Sequence, residues 1–165
     1  MNAALHAINE LAALVHGGAL LTFALLVNGR RAIPHVRTED VVRVYRAFGA
    51  GIGLSLGAFV PTDIYRHLHA VNPTASLPAS LALQFDTPEL SLLSARMVLL
   101  FALWVSYVWL EVWTLEPTRK LDKNGSVADG AAYEAATGRV GRHLAVNAAL
   151  FAGVVLCGAL SRSWP

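Results

Sequence analysis

Four apolar blocks, at residues 3–27, 41–60, 90–115 and 144–160, constrain this chain more than any other feature. Each is about the length that crosses the hydrocarbon core of a bilayer, roughly 17–25 residues. Four such segments use up the chain and leave no room for a separate soluble domain. The expected fold is all-α: an integral membrane bundle of four transmembrane helices, a single domain over residues 1–165 with spans at about 3–28, 40–61, 88–115 and 140–162. Composition agrees, with 55% hydrophobic and only 15% charged residues, where a soluble domain carries about 25% charged. A cleavable signal peptide is not expected, because the first basic residue is Arg30 and such peptides open on a basic segment.

The charges that remain are mostly topology signals. Arg30, Arg31, Arg37, Arg43 and Arg46 surround the first connection, and Arg119, Lys120, Lys123, Arg139 and Arg142 surround the third, leaving Arg66, Arg96 and Arg162 from a total of 13 Lys and Arg. The positive-inside bias puts these two connections in the cytoplasm. Both termini and the connection from Pro61 to Pro88 are then on the outer, periplasmic side of a bacterial inner membrane. The net charge of +2 and pI near 9.0 therefore do not argue for nucleic acid. The expected partners are the lipid bilayer and other membrane-protein subunits, or a second copy of the chain. The single cysteine, Cys157, lies in the fourth block and reads as a packing residue, so no disulfide, zinc knuckle or CxxC motif can form within one chain.

Local signals favour helices. Thr87-Pro88-Glu89 combines a capping hydroxyl, a proline at the first helical position and an acid in the first turn. Ser126 with Asp129 is a candidate cap for a helix that runs into the fourth span, and Pro61 is expected to end or kink the second. At 100° per residue, His6, Glu10, Ala13, Gly17, Ala24 and Asn28 share a stripe on the first helix. Gly49, Gly53 and Gly57 offer the second helix a close approach. Arg96, Leu103, Tyr107, Glu111 and Thr114 share a side of the third, and His143, Asn147, Leu150, Val154, Cys157 and Ser161 a side of the fourth. An exposed charge in hydrocarbon costs at least ~2.5–3.5 kcal/mol, so these stripes should face one another.

Three groups of residues carry candidate chemistry. Glu10 and Arg96 lie at matching depth, about 10 and 12 Å from the outer surface, and intramembrane ions of opposite sign are expected to pair. The pair is either a structural salt bridge or a site in which Arg96 holds an anion, such as a haem propionate, and Glu10 relays protons. His6, Glu10, Asp63, His67 and His69 converge near the outer surface and form a candidate copper or zinc site. His16, near the middle of the first helix and followed by Gly17-Gly18, needs a partner: either a hydrogen bond to Ser55, Tyr107 or a backbone carbonyl, or the iron of a b-type haem, with the glycines making room for the ring. His16, Arg96 and Tyr107 are the candidate cofactor-binding residues. His143 lies too near the cytoplasmic end to serve as a second axial ligand, and Asn147 and Glu111 are expected to satisfy each other or the helix ends.

His16-Gly17-Gly18, the glycines from Gly49 to Gly57, Arg96, and Arg142-His143 with Asn147 together resemble the small four-helix bacterial membrane proteins that include the copper-resistance protein D family and the four-helix protoporphyrinogen oxidases. The resemblance implies the bundle and haem or copper binding. It implies no enzyme activity, since the Asn-Glu and proline pattern of the oxidase's fourth helix is absent. The leading expectation is a cofactor-holding or accessory subunit of a larger membrane complex. The alternatives are a copper or small-solute transporter using the outer cluster, and a membrane oxidoreductase acting on a porphyrin or quinone.

Overall fold

The computed structural model describes residues 3–29, 32, 49, 51–65, 85, 87–115 and 130–163, and among these it contains helices and no strand. Helix α1, Ala3–Gly29, runs unbroken for 27 residues, about 40 Å at 1.5 Å per residue and enough to cross a bilayer with some tilt. The described part of α2 covers residues 51–65; residues 40–48 of its expected span lie outside the described residues. Of the two outcomes expected at Pro61, an end or a kink, the end is not found: α2 stays helical to residue 65. Beyond the proline the Thr62 hydroxyl donates back to the carbonyls of Ala58 at 2.6 Å and Phe59 at 3.0 Å.

Helix α3, Pro88–Trp109, starts as the sequence predicts: the Thr87 hydroxyl accepts from the Leu90 amide at 3.2 Å, with proline in the first turn. It closes with a π-helical segment, Leu110–Leu115, which the sequence reading does not anticipate. Helix α4, Gly130–Ser163, is 34 residues long and begins well before the expected span. The proposed Ser126 and Asp129 cap lies outside the described residues.

Three helical stretches, Ala3–Gly29, Pro88–Thr114 and Glu134–Ser161, are long and apolar enough to cross a membrane. Their outward faces agree. Leu14 is 74% exposed and Leu54 on α2 76%, with Leu11, Leu21, Leu25, Phe101, Trp104, Val112, Val155 and Leu156 also bare. Apolar exposure on this scale is unfavourable in water and suits lipid.

The helices form a ring in which sequence neighbours are antiparallel. On α1 and α2, Asn9 meets Phe59 and Thr62 whereas His16 meets Ile52 and Ser55. On α2 and α3, Asp63 meets Arg96 and Gly49 meets Tyr107. Helix α4 packs on both α3 and α1 and closes the ring. Both diagonals are bridged by rings at the centre, His16 to Tyr107 with centroids 6.4 Å apart and Phe59 to Phe151 at 5.7 Å.

Two expected faces are corrected. The buried face of α1 follows Asn9, Ala12, His16, Leu20, Phe23, Ala24 and Val27; it shares Ala24 with the predicted stripe, but its centre lies nearly one residue round from the line through Glu10 and Gly17. On α2 a Cβ at Gly53 would lie 3.1 Å from the Tyr107 hydroxyl, while Gly57 faces open space. Close packing is found instead on α4. There a Cβ at Gly141 would come within 2.7 Å of Asn28 Oδ1 and 2.8 Å of Val27 Cγ1, and the Gly141 carbonyl accepts from Asn28 Nδ2 at 3.1 Å. Gly141→Ala should therefore cost about 1–3 kcal/mol by overpacking, whereas Gly57→Ala should be neutral or gain up to about 1 kcal/mol from helix propensity. Thermal unfolding of the two variants in detergent checks this, and equal melting temperatures would contradict the α1 and α4 contact.

Candidate functional site

The centre of the bundle is built around His16. It has no solvent exposure, although its side chain is one that water would hold well. Its Nδ1 lies 3.3 Å from the Ile52 carbonyl and 3.3 Å from Ser55 Oγ. The Ser55 hydroxyl itself donates to Ile52 at 2.8 Å. A carbonyl can only accept, so this arrangement favours the tautomer with the proton on Nδ1 and leaves the lone pair on Nε2. Nε2 is buried with no hydrogen-bond partner. Around it stand the rings of Tyr107 and of Phe151, the latter with its centroid 5.6 Å from the imidazole. A backbone acceptor on one nitrogen and a bare lone pair on the other is the arrangement that metal-ligating histidines use.

Phe151 also packs against Gly17, and it lines a cleft of about 790 Å³ between α1 and α4 whose wall includes Glu10, Gly17, Gly18, Ala148 and Ala152. The ring of Phe151 fills the place of a side chain at Gly17, whereas Gly18 faces open space. One aromatic ring thus borders both the cleft and the buried histidine.

Nearer the N-terminal end of α1, Arg96 is bound by Asp63. The expected match of Arg96 with Glu10 is replaced: depth along a helix axis does not specify which neighbour a side chain faces, and Arg96 turns toward α2. Asp63 is 3% and Arg96 12% exposed, so both charges are withdrawn from solvent. Arg96 Nε has no hydrogen-bond partner, and the guanidinium rests on Gly158, whose missing side chain makes room for it.

The candidate outer cluster is only partly brought together. His6 Nδ1 and Glu10 Oε1 are 3.8 Å apart and roughly half exposed, while Asp63 is engaged by Arg96. His67 and His69 lie outside the described residues. Among the described residues no three His, Cys, Asp or Glu side chains are grouped as a metal site. Of the candidate cofactor residues, His16 and Tyr107 meet at the centre, and Arg96 stands eleven residues back along α3, about 16 Å.

Asn9 was missed by the sequence reading. It is 1% exposed and donates to Thr62 Oγ1 at 2.9 Å and the Phe59 carbonyl at 3.3 Å. Its seven-residue spacing from His16 and then Phe23 marks a helix face and was the available signal. Asn147 and Glu111 do not satisfy each other. Asn147 Nδ2 donates to the His143 carbonyl at 3.1 Å, and Glu111 accepts from the Tyr107 hydroxyl at 3.2 Å.

No family model, curated protein or solved structure matches this chain.

Proposed function

We propose that this chain is a small multi-pass protein of a bacterial inner membrane, with both termini outside, whose bundle interior holds a b-type haem through His16. The observation that carries the reading is the His16 side chain: fully buried, anchored at Nδ1 on a backbone carbonyl, and without a partner at Nε2. An unpaired polar atom of this kind costs about 1–3 kcal/mol, an expense that a ligand at Nε2 removes. The residues fit the group in donor chemistry. His16 would supply the axial nitrogen, Tyr107 and Phe151 the aromatic walls, and the free Nε of Arg96 a donor for a carboxylate. When bound, haem supplies one-electron redox or gas-binding chemistry. The chain's own part is to fix the imidazole tautomer, to exclude water from it and to keep Glu10 on the wall of the neighbouring cleft.

A reducible Soret and α band in the detergent-purified protein, lost in His16→Ala and kept in His6→Ala, is the expected result. A colourless preparation from haem-replete cells would overturn the haem reading. The orientation is tested separately. A cysteine introduced beside Arg37, in a Cys157→Ser background, should react with a membrane-impermeant maleimide only after permeabilisation, and labelling in intact cells would reverse the topology. Copper handling by the outer cluster has less support, because Asp63 is committed to Arg96. An accessory role beside a larger complex fits the small size and predicts a partner that co-purifies at fixed ratio.

A further inference from the structure

At the end of the bundle away from Asp63, the i, i+3, i+4, i+7 spacing puts Arg139, Arg142, His143 and Val146 on one face of α4. Together with Thr114 they surround a pocket of about 380 Å³. The pocket has a set floor. His143 Nε2 lies 3.1 Å from Ser106 Oγ, and its Nδ1 lies 3.0 Å from Thr114 Oγ1, so both ring nitrogens are held by hydroxyls of the neighbouring helix. Thr114 comes from the π-helical segment Leu110–Leu115, an uncommon backbone form that is frequent at functional sites.

The charges above this floor are unbalanced. Arg139 and Arg142 are both exposed, and among the described residues neither forms an ion pair. Two guanidinium groups one helical turn apart repel each other and, with no carboxylate among the described residues that line the pocket, favour an anion between them. The surroundings indicate its setting. Trp109 and Trp113 are 57% and 65% exposed, and their rings lie tilted against each other at 5.8 Å where α3 passes into the segment that carries Thr114. Exposed tryptophans at a span end mark the headgroup level of a bilayer. Val146, one turn deeper on the same face of α4, continues the pocket into apolar surface.

We propose that this pocket binds a phosphate group, and that its source is the headgroup of an anionic lipid. Guanidinium groups bind phosphate oxygens in forked, charge-assisted pairs, and basic pockets between membrane helices are suited to such headgroups. The assignment does not depend on a cofactor at His16.

The test is lipid binding to the full chain in detergent, followed by native mass spectrometry and by the shift in melting temperature. Phosphatidylglycerol, phosphatidylcholine and inorganic phosphate are the three probes, applied to wild type and to Arg139→Gln/Arg142→Gln. Phosphatidylglycerol should bind wild type and raise its melting temperature, and the double variant should bind it about thirtyfold more weakly. Phosphatidylcholine should give little shift. Stabilisation by inorganic phosphate, abolished in the double variant, would keep the phosphate site and assign it to a soluble anion instead of a lipid. Equal phosphatidylglycerol affinity in wild type and double variant would overturn the proposal, as would equal affinity for the two lipids. Both arginines are exposed, so the double variant should unfold at the wild-type temperature without lipid; Arg139→Lys/Arg142→Lys, which keeps the charge, should retain part of the lipid shift.

Discussion

Asp63→Ala should lower the unfolding free energy of the purified protein by about 3–5 kcal/mol, the range for removing one partner of a buried ion pair. The size of the effect follows from where the charge is left. Arg96 is 12% exposed, rests on Gly158, and already has one nitrogen, Nε, without a partner. Once Asp63 is gone the guanidinium must stay buried uncompensated or pull its helix toward water. The double replacement Asp63→Ala/Arg96→Met should recover most of the loss, because exchanging a whole buried pair for apolar volume is often neutral or stabilising. Denaturant unfolding in detergent across the cycle of wild type, two single variants and the double variant gives the coupling directly. Salt should change it little, since ions do not reach a buried pair. A single-variant loss under about 1 kcal/mol would mean that the pair is solvated and does not tie α2 to α3.

His16→Leu should abolish haem absorbance completely while leaving the apoprotein as stable as wild type or slightly more stable. The two effects separate because the histidine has two unlike nitrogens. Its Nδ1 shares the Ile52 carbonyl with the Ser55 hydroxyl, so that carbonyl keeps a donor when the imidazole is removed. Nε2 is a buried acceptor with no partner, and replacing it by apolar atoms relieves a desolvation cost of about 1–3 kcal/mol. Leucine is close to histidine in size and can pack against Tyr107 and Phe151. A residue retained at a cost to the empty bundle is the pattern of a functional site, where stability and activity compete. Absorbance spectra and melting temperatures of the apoproteins check both halves. A His16→Leu variant that keeps the bands would move the haem elsewhere. One that loses several kcal/mol of stability in a protein that is colourless from the start would make His16 a structural residue.

Much of the architecture was legible because it rests on local chemistry. The apolar blocks, the Thr87-Pro88 start of α3 and the inward side of α4 through Asn147, Val154 and Ser161 each depend on residues close in sequence. The buried face of α1 was harder to read, since a helix apolar on nearly every side carries little amphipathic signal, and the visible polar stripe through His6 and Glu10 drew the expected face one residue away. The partners of Arg96 and His143 could not be read at all. Each is reached only across an interface, by Asp63 from 33 residues away and by Ser106 from 37. Which side chains meet there depends on the rotation and tilt of whole helices, which packing sets collectively.

By itself, then, the sequence determined that the chain forms long apolar helices, where α3 begins, and that His16, Asp63 and Arg96 are polar groups set in apolar segments. Only the tertiary structure decided that Asp63 takes Arg96, that His16 keeps one nitrogen free, and that a π-helical segment brings Thr114 to His143 beside Arg139 and Arg142. The reason is physical: hydropathy and capping act between near neighbours and can be read along the chain. The pairing of buried polar groups is settled when all four helices dock, because only then does each lose water and require a substitute.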